Sequence, residues 1–184
     1  MDDHGMDDGD PDAGLFGDTR LTATGLFFEA HDGLVAKLAP TMDRAGLSPL
    51  DFGALMRLTR SPGGRLRMTD LAAQLFLSTS GVTRVVDRLQ RGGLVRRESS
   101  ADDRRSTYAV LTADGTDRLR GVLADHLDDI ERWFTGLYTA QDLGDLITAL
   151  RTLRDAVHPN AAKNTAPPST ASESAVEPSG PTGT

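Results

Sequence analysis

The chain has 184 residues, enough for one ordinary domain with elaborated ends. Its 27 acidic and 20 basic residues give a net charge of -7, which argues against a simple basic coat for nucleic acid. The absence of cysteine excludes disulfides, thiolate-bound metal, a cysteine nucleophile and thiol redox sensing. His4, His31, His126 and His158 lie far apart and form no local metal motif. No apolar run reaches the roughly 18–20 residues of a membrane span, and the Asp-rich start is unlike a secretory leader. The expected location is the cytoplasm, with no membrane partner.

Residues 1–18 carry seven aspartates and four glycines, and this acidic segment is expected to be mostly disordered. Residues 159–184 hold five prolines among alanine, serine and threonine, and are expected to form a second disordered tail. The folding domain is then 19–158. Charge is unevenly spread within it. Residues 57–108 contain eleven arginines against five acids, a net +6, so the rest of the chain carries -13. An acidic total hides a basic middle. Charge alone leaves two readings open, a nucleic-acid footprint or a solvated arginine-rich face.

In chain order, Leu21, Leu26, Phe27, Leu34, Val35 and Leu38 recur at helical spacing and predict a first long helix ending near Pro40. Ser48-Pro49 starts a second helix, with Asp51 in its first turn and Phe52, Leu55 and Met56 on its apolar face. Pro62-Gly63-Gly64 ends it. Leu66–Met68 is expected to add a very short strand. Thr69 is the expected cap of the next helix, which carries Leu71, Ala72 and Leu75.

Ser78 is a second cap only a few residues later. Beyond it, Val82, Val85, Val86 and Leu89 make an inner face against polar Thr79, Ser80, Thr83, Arg84, Asp87, Arg88 and Arg91. Gly92-Gly93 stops that helix. Two short helices joined by a tight turn fit a helix-turn-helix. Leu94–Arg97 and Ser106–Leu111 then predict a hairpin whose tip carries Arg104 and Arg105. Thr112 caps a long helix to about Leu137, with Gly115 and Gly121 as tolerable weak points. Thr139 and Asp142 open a final helix bearing Leu143, Leu146, Ile147, Leu150 and Leu153. The fold class expected is mostly α with a small β-wing, a winged helix-turn-helix flanked by N- and C-terminal helices.

The run RMTDLAAQLFLSTSGVTRVVDRLQRGGLVRRESSADDRRSTYAVLTADG, ending at Gly115, resembles the winged-helix core of the multiple antibiotic resistance regulator (MarR) family. The strongest likeness lies in Leu71-Ala72, Val82 to Leu89, Gly93-Leu94-Val95, Asp103-Arg104-Arg105, Leu111-Thr112 and Gly115. Phe76 stands where the family often has a turn glycine, and Gly81 where a larger or hydroxyl residue is usual.

The resemblance implies a homodimer held by the terminal helices, with a DNA-binding core at about 50–112 gripping a palindromic operator in double-stranded DNA. Thr79, Ser80, Thr83 and Arg84 are the candidate base-contacting residues. A guanidinium can donate to both O6 and N7 of guanine, though a phosphate contact or internal ion pair for Arg84 stays open. Asp103 and Arg105 are the candidate wing pair, the arginine entering the minor groove. Arg88, Ser99, Ser100 and Arg104 are phosphate candidates, Arg88 alternatively pairing with Asp87; Arg57 and Arg60 are weaker ones.

The family's effector cleft suggests a small aromatic or phenolic ligand among Phe27, Phe28, His31, Phe52 and Met56, each of which also suits a core or interface position. No phosphate loop, metal cluster or nucleophile–base pair is present, so no catalytic residue, metal or cofactor is expected. The function implied is transcriptional regulation, repression in particular. The alternative is a winged-helix scaffold that binds protein without reading DNA.

Overall fold

The computed structural model describes residues 16–99 and 106–162. The disorder expected for 1–15 and 163–184, and the candidate residues Ser100, Asp103, Arg104 and Arg105, lie outside the described residues.

Helix α1 (Thr19–Arg44) begins at Asp18, whose carboxylate accepts from the Arg20 amide at 2.8 Å. It runs through Pro40 rather than ending there. The proline ring removes one backbone donor, but the turn that follows is tied down from outside. Thr41 and Met42 are the buried residues of this helix, and the Thr41 hydroxyl donates to Asp129 on a distant helix. Tertiary contact overrides the local break signal here.

Helix α2 (Pro49–Thr59) carries a complete capping box between Ser48 and Asp51, with Pro49 at its first position. Strand β1 (Arg65–Arg67) leads straight into helix α3 (Met68–Gln74), so the expected Thr69 cap is displaced into the first turn. Arg67 occupies the cap position and makes no side-chain cap bond. Helix α4 (Thr79–Arg91) is capped by Ser78, whose hydroxyl accepts from Gly81 N–H at 3.1 Å. Between α3 and α4, Phe76 has φ 54°. A left-handed backbone costs a β-carbon-bearing residue about 1–2 kcal/mol, which is why glycine is the easier residue at this turn.

Strands β2 (Val95–Ser99) and β3 (Thr107–Leu111) complete an antiparallel sheet in the order β1-β3-β2, with Leu66 opposite Ala109 and Arg97 also opposite Ala109. The first wing strand thus sits slightly later than its expected Leu94–Arg97. Helix α5 (Ala113–Trp133) stops four residues short of Leu137, and a 3-10 turn at Thr135–Leu137 takes over. Helix α6 (Ala140–Val157) is capped by Thr139 and buries none of its residues within the protomer. Pro159–Ala162 form a further 3-10 turn, so the first four residues of the expected tail are structured.

The core lies in the central head. Leu55, Leu58, Leu71, Val82, Val86 and Val95 are fully enclosed, joining α2, α3, α4 and the sheet. Among the described residues no helix is long and apolar enough to cross a membrane.

Gly115 sits where α5 crosses the sheet. A β-carbon there would lie 2.2 Å from the Leu94 carbonyl oxygen, whereas one at Gly121 would meet nothing within 4 Å. The two glycines therefore have opposite meanings. Gly115→Ala should destabilise the fold by about 3 kcal/mol through overpacking. Gly121→Ala should stabilise it by up to about 1 kcal/mol through helix propensity. Chemical denaturation of both variants checks the pair.

Candidate nucleic-acid interface

The outer face of α4 follows from its inner face. Val82, Val85, Val86 and Leu89 are buried at helical spacing. That leaves Thr79, Ser80 and Arg84 exposed and Thr83 half-buried along the opposite side. These four candidates therefore share one end of one helix. Among the described residues Arg84 is held by no hydrogen bond or ion pair. The Thr83 hydroxyl, by contrast, donates to the Thr79 carbonyl at 2.8 Å and Ser80 shares a 3.1 Å contact with Ser78.

Two ion pairs aim this helix. Arg88 donates to both carboxylate oxygens of Asp51, with contacts of 3.0, 2.9 and 2.7 Å, and so joins α4 to the first turn of α2. A planar fork against a carboxylate sets angle as well as distance. Arg88, read from sequence as a phosphate ligand or a partner of Asp87, is thus committed to Asp51. Asp87 instead takes Arg97 of β2, whose Nη1 donates to it at 2.6 Å and to Gln90 at 3.1 Å. This second tie joins the wing to the helix. Arg97 escaped the sequence reading although strand alternation held the signal. Val95 is inward, so Arg97, two residues on, faces the same side.

Between α4 and the wing base lies a groove of about 550 Å³ lined by Arg67, Thr69, Thr79, Thr83, Arg97 and Thr107, among others. In a separate hollow lined by Arg65, Arg67 and Tyr108, the Tyr108 ring carries Arg65 4.1 Å over its face, and the Tyr108 hydroxyl accepts from Arg67 at 3.0 Å. Ser99 is exposed at the end of β2, opposite Thr107. Arg57 is turned away from this face, donating to the Ala161 carbonyl at 2.7 Å.

The five expected effector residues do not form one cluster within the protomer. Phe27, Phe28 and His31 lie exposed on α1, His31 beside Asp32 at 2.9 Å. Phe52 and Met56 pack against the head core instead. The histidine that meets Phe52 is His126 of α5, their rings edge-to-face with centroids 4.7 Å apart. His126 is buried and its Nδ1 has no hydrogen-bond partner. Burial holds this imidazole below its ordinary pKa, against a smaller opposing pull from Asp129. Among the described residues no cluster of His, Asp and Glu is placed to hold a metal ion.

A two-helix reading unit followed by a three-stranded wing and flanked by long helices defines a winged helix-turn-helix protein. The MarR family model matches residues 45–106. AbsC, a MarR family transcriptional regulator from Streptomyces coelicolor, is 33% identical; the likeness covers 76% of this chain and 94% of that one at a TM-score of 0.69. Sco3205, a MarR family regulator from the same organism solved in complex with DNA, is 29% identical over 79% of this chain and 92% of that one, at 0.70. The HTH-type transcriptional regulator YkoM of Bacillus subtilis is 37% identical over 93 residues, half of this chain. The match spans 58% of that curated relative's length. The chain belongs to the MarR family of winged helix-turn-helix transcriptional regulators.

Asp51 gives this site an acid limit. Burial alone would raise its carboxyl, but hydrogen bonds from Arg88 and Ser48 outweigh that and hold it below its ordinary value. A carboxyl whose pKa falls on folding adds stability above its unfolded value, near 3.9, and loses it as pH drops through the folded one. Asp51→Asn should cost about 2 kcal/mol at neutral pH. Its deficit against the native chain should narrow below about pH 4. Denaturation followed from pH 7 to pH 3 reads both effects.

Proposed function

We propose that the chain is a cytoplasmic, sequence-specific regulator that binds a palindromic operator in double-stranded DNA as a homodimer and represses transcription. The observation that carries this reading is the pairing of a locked inner face with an outer one on which Arg84 has no hydrogen-bond or ion-pair partner among the described residues. Val82, Val85, Val86 and Leu89 are buried and Arg88 and Asp87 are tied, while Thr79, Ser80 and Arg84 project from the first turns of α4. Such a helix presents base-reading groups to a major groove with little left to reorganise. Arg84 is assigned to a guanine edge, with Thr79, Ser80 and Thr83 beside it. By resemblance, Arg105 is assigned to the minor groove with Asp103 orienting it, and Ser99, Ser100 and Arg104 to phosphates. Arg88 is left out of the phosphate set.

The second copy is supported by apolar surface that the protomer leaves open. Leu21, Leu26 and Phe28 of α1 and Leu153 and Val157 of α6 are all exposed, as is Leu137 between α5 and α6. Long helices with this much uncovered apolar area fit a face shared between copies. A small aromatic or phenolic effector is proposed to act beside Phe52 and His126, where an acidic hydroxyl would satisfy the unpaired imidazole nitrogen.

Fluorescence anisotropy with duplexes tiled across the upstream intergenic region, each against a shuffled control, tests the proposal. Site-selective binding should exceed shuffled binding by about 10³-fold and weaken steeply with salt. Arg84→Ala should lower operator affinity by about 10- to 100-fold and leave shuffled binding much less changed. Equal binding to every duplex would overturn sequence-specific reading. No binding at low salt by a folded dimer would favour the protein-binding scaffold. On the operator complex, a hydroxybenzoate should weaken binding, and His126→Leu should blunt that response.

A further inference from the structure

Pro159 ends α6, because the residue before a proline is pushed out of helical geometry, and His158 leaves at φ -142° and ψ 64°. What the chain does next is specific. The His158 Nε2 lies 3.0 Å from the Ala73 carbonyl oxygen in the last turn of α3. A carbonyl only accepts, so this nitrogen carries the proton and the imidazole adds a second donor to a C-terminal carbonyl of α3 that the Phe76 N–H also reaches at 3.4 Å. The same ring lies against Phe76, with centroids 3.5 Å apart and planes tilted by 35°. Three residues on, Ala161 is buried and its carbonyl accepts from Arg57 of α2 at 2.7 Å.

One four-residue segment therefore touches the end of α3, the turn before α4 and the last turn of α2. It is also the continuation of α6, a helix that buries no residue of its own in the protomer. Phe76 strengthens the point. It holds a left-handed backbone that glycine would adopt without strain, and the ring that glycine lacks is the one His158 lies against, on one side of a residue otherwise largely exposed. The side chain stands at a position whose backbone disfavours it.

We propose that His158–Ala161 is a strap that fixes the DNA-reading head against α6, so that operator affinity depends on the His158–Phe76–Ala73 contact. The proposal rests on the DNA-binding reading above. A dimer that must place two recognition helices one helical turn of DNA apart binds best when each head is held in one orientation. The strap restricts that orientation from outside the winged core.

The test compares the full native chain with His158→Ala and Phe76→Gly. The glycine variant removes the ring while relieving the backbone, so it keeps the fold. Hydrogen–deuterium exchange should rise at least threefold in peptides covering 68–77 and stay unchanged over 82–89 in both variants. Operator affinity should fall about tenfold, while the melting temperature of Phe76→Gly is unchanged or raised, a combination that loss of fold cannot produce. Unchanged exchange in both variants overturns the strap. Raised exchange with operator affinity unchanged or increased overturns its role in DNA binding. Should the native chain bind no duplex, the regulator reading fails, and the strap is judged on exchange alone.

Discussion

The carboxylate of Asp51 is the point on which the placement of the recognition helix depends. It sits in the first turn of α2, where it completes the cap with Ser48, and it reaches across to receive Arg88 of α4. One buried group therefore starts one helix and orients another. Its side chain is 5% exposed while that of Arg88 is 47% exposed, so the carboxylate gives up water and the guanidinium largely does not. That asymmetry puts most of the desolvation cost on the carboxylate, and the pair's value lies in direction more than in stability. The Arg97–Asp87 tie repeats the device from the wing side. With both in place, α4 cannot roll about its axis without breaking an ion pair on each flank.

Much of the fold was legible because its signals are local. Ser48-Pro49 with Asp51 reads as a helix start from chemistry within four residues, and Ser78, Thr112 and Thr139 all serve as caps. The aliphatic spacing of Val82, Val85, Val86 and Leu89 marks the inner face of α4 with no need of a partner. What failed was decided at long range. Pro40 reads as a stop, yet Thr41 is held by Asp129, 88 residues away. Gly115 reads as a mild weakness, yet it is the one helical position where the Leu94 carbonyl comes too close for any side chain. Composition likewise assigned Pro159–Ala162 to the tail, because a buried alanine carries no hydrophobic signature of its own.

The candidate site divides along the same line. The exposed side of α4 was readable as the complement of its apolar face. Pairing partners were not, since a charge pattern shows which residues are ionic and never which acid each arginine meets. Arg88 took Asp51 instead of a neighbour in its own helix, and Phe52 met His126 instead of His31. Both substitutions of partner come from elements distant in sequence folding against α2. Phe76 is the opposite case. Its departure from the family's usual glycine was visible in the sequence, and its meaning depended on a backbone angle and on a ring from the other end of the chain.

These pairings change what the basic middle of the chain amounts to. Eleven arginines against five acids describe a composition, but a phosphate or a base edge meets individual guanidinium groups. Arg88 and Arg97 are spent on Asp51 and Asp87, Arg96 on Glu98, and Arg57 on a carbonyl of the strap. Arg65 lies on the Tyr108 ring and Arg91 donates to the Asp87 carbonyl. Arg84 stands out from this set because its neighbours on the helix are occupied and it is not. Discrimination between sequences needs a donor fork with no partner of its own at the groove floor. The architecture thus separates structure from the proposed reading: most of these guanidinium groups hold the head together, and α4 keeps the Arg84 guanidinium uncommitted, the group proposed above to meet the groove.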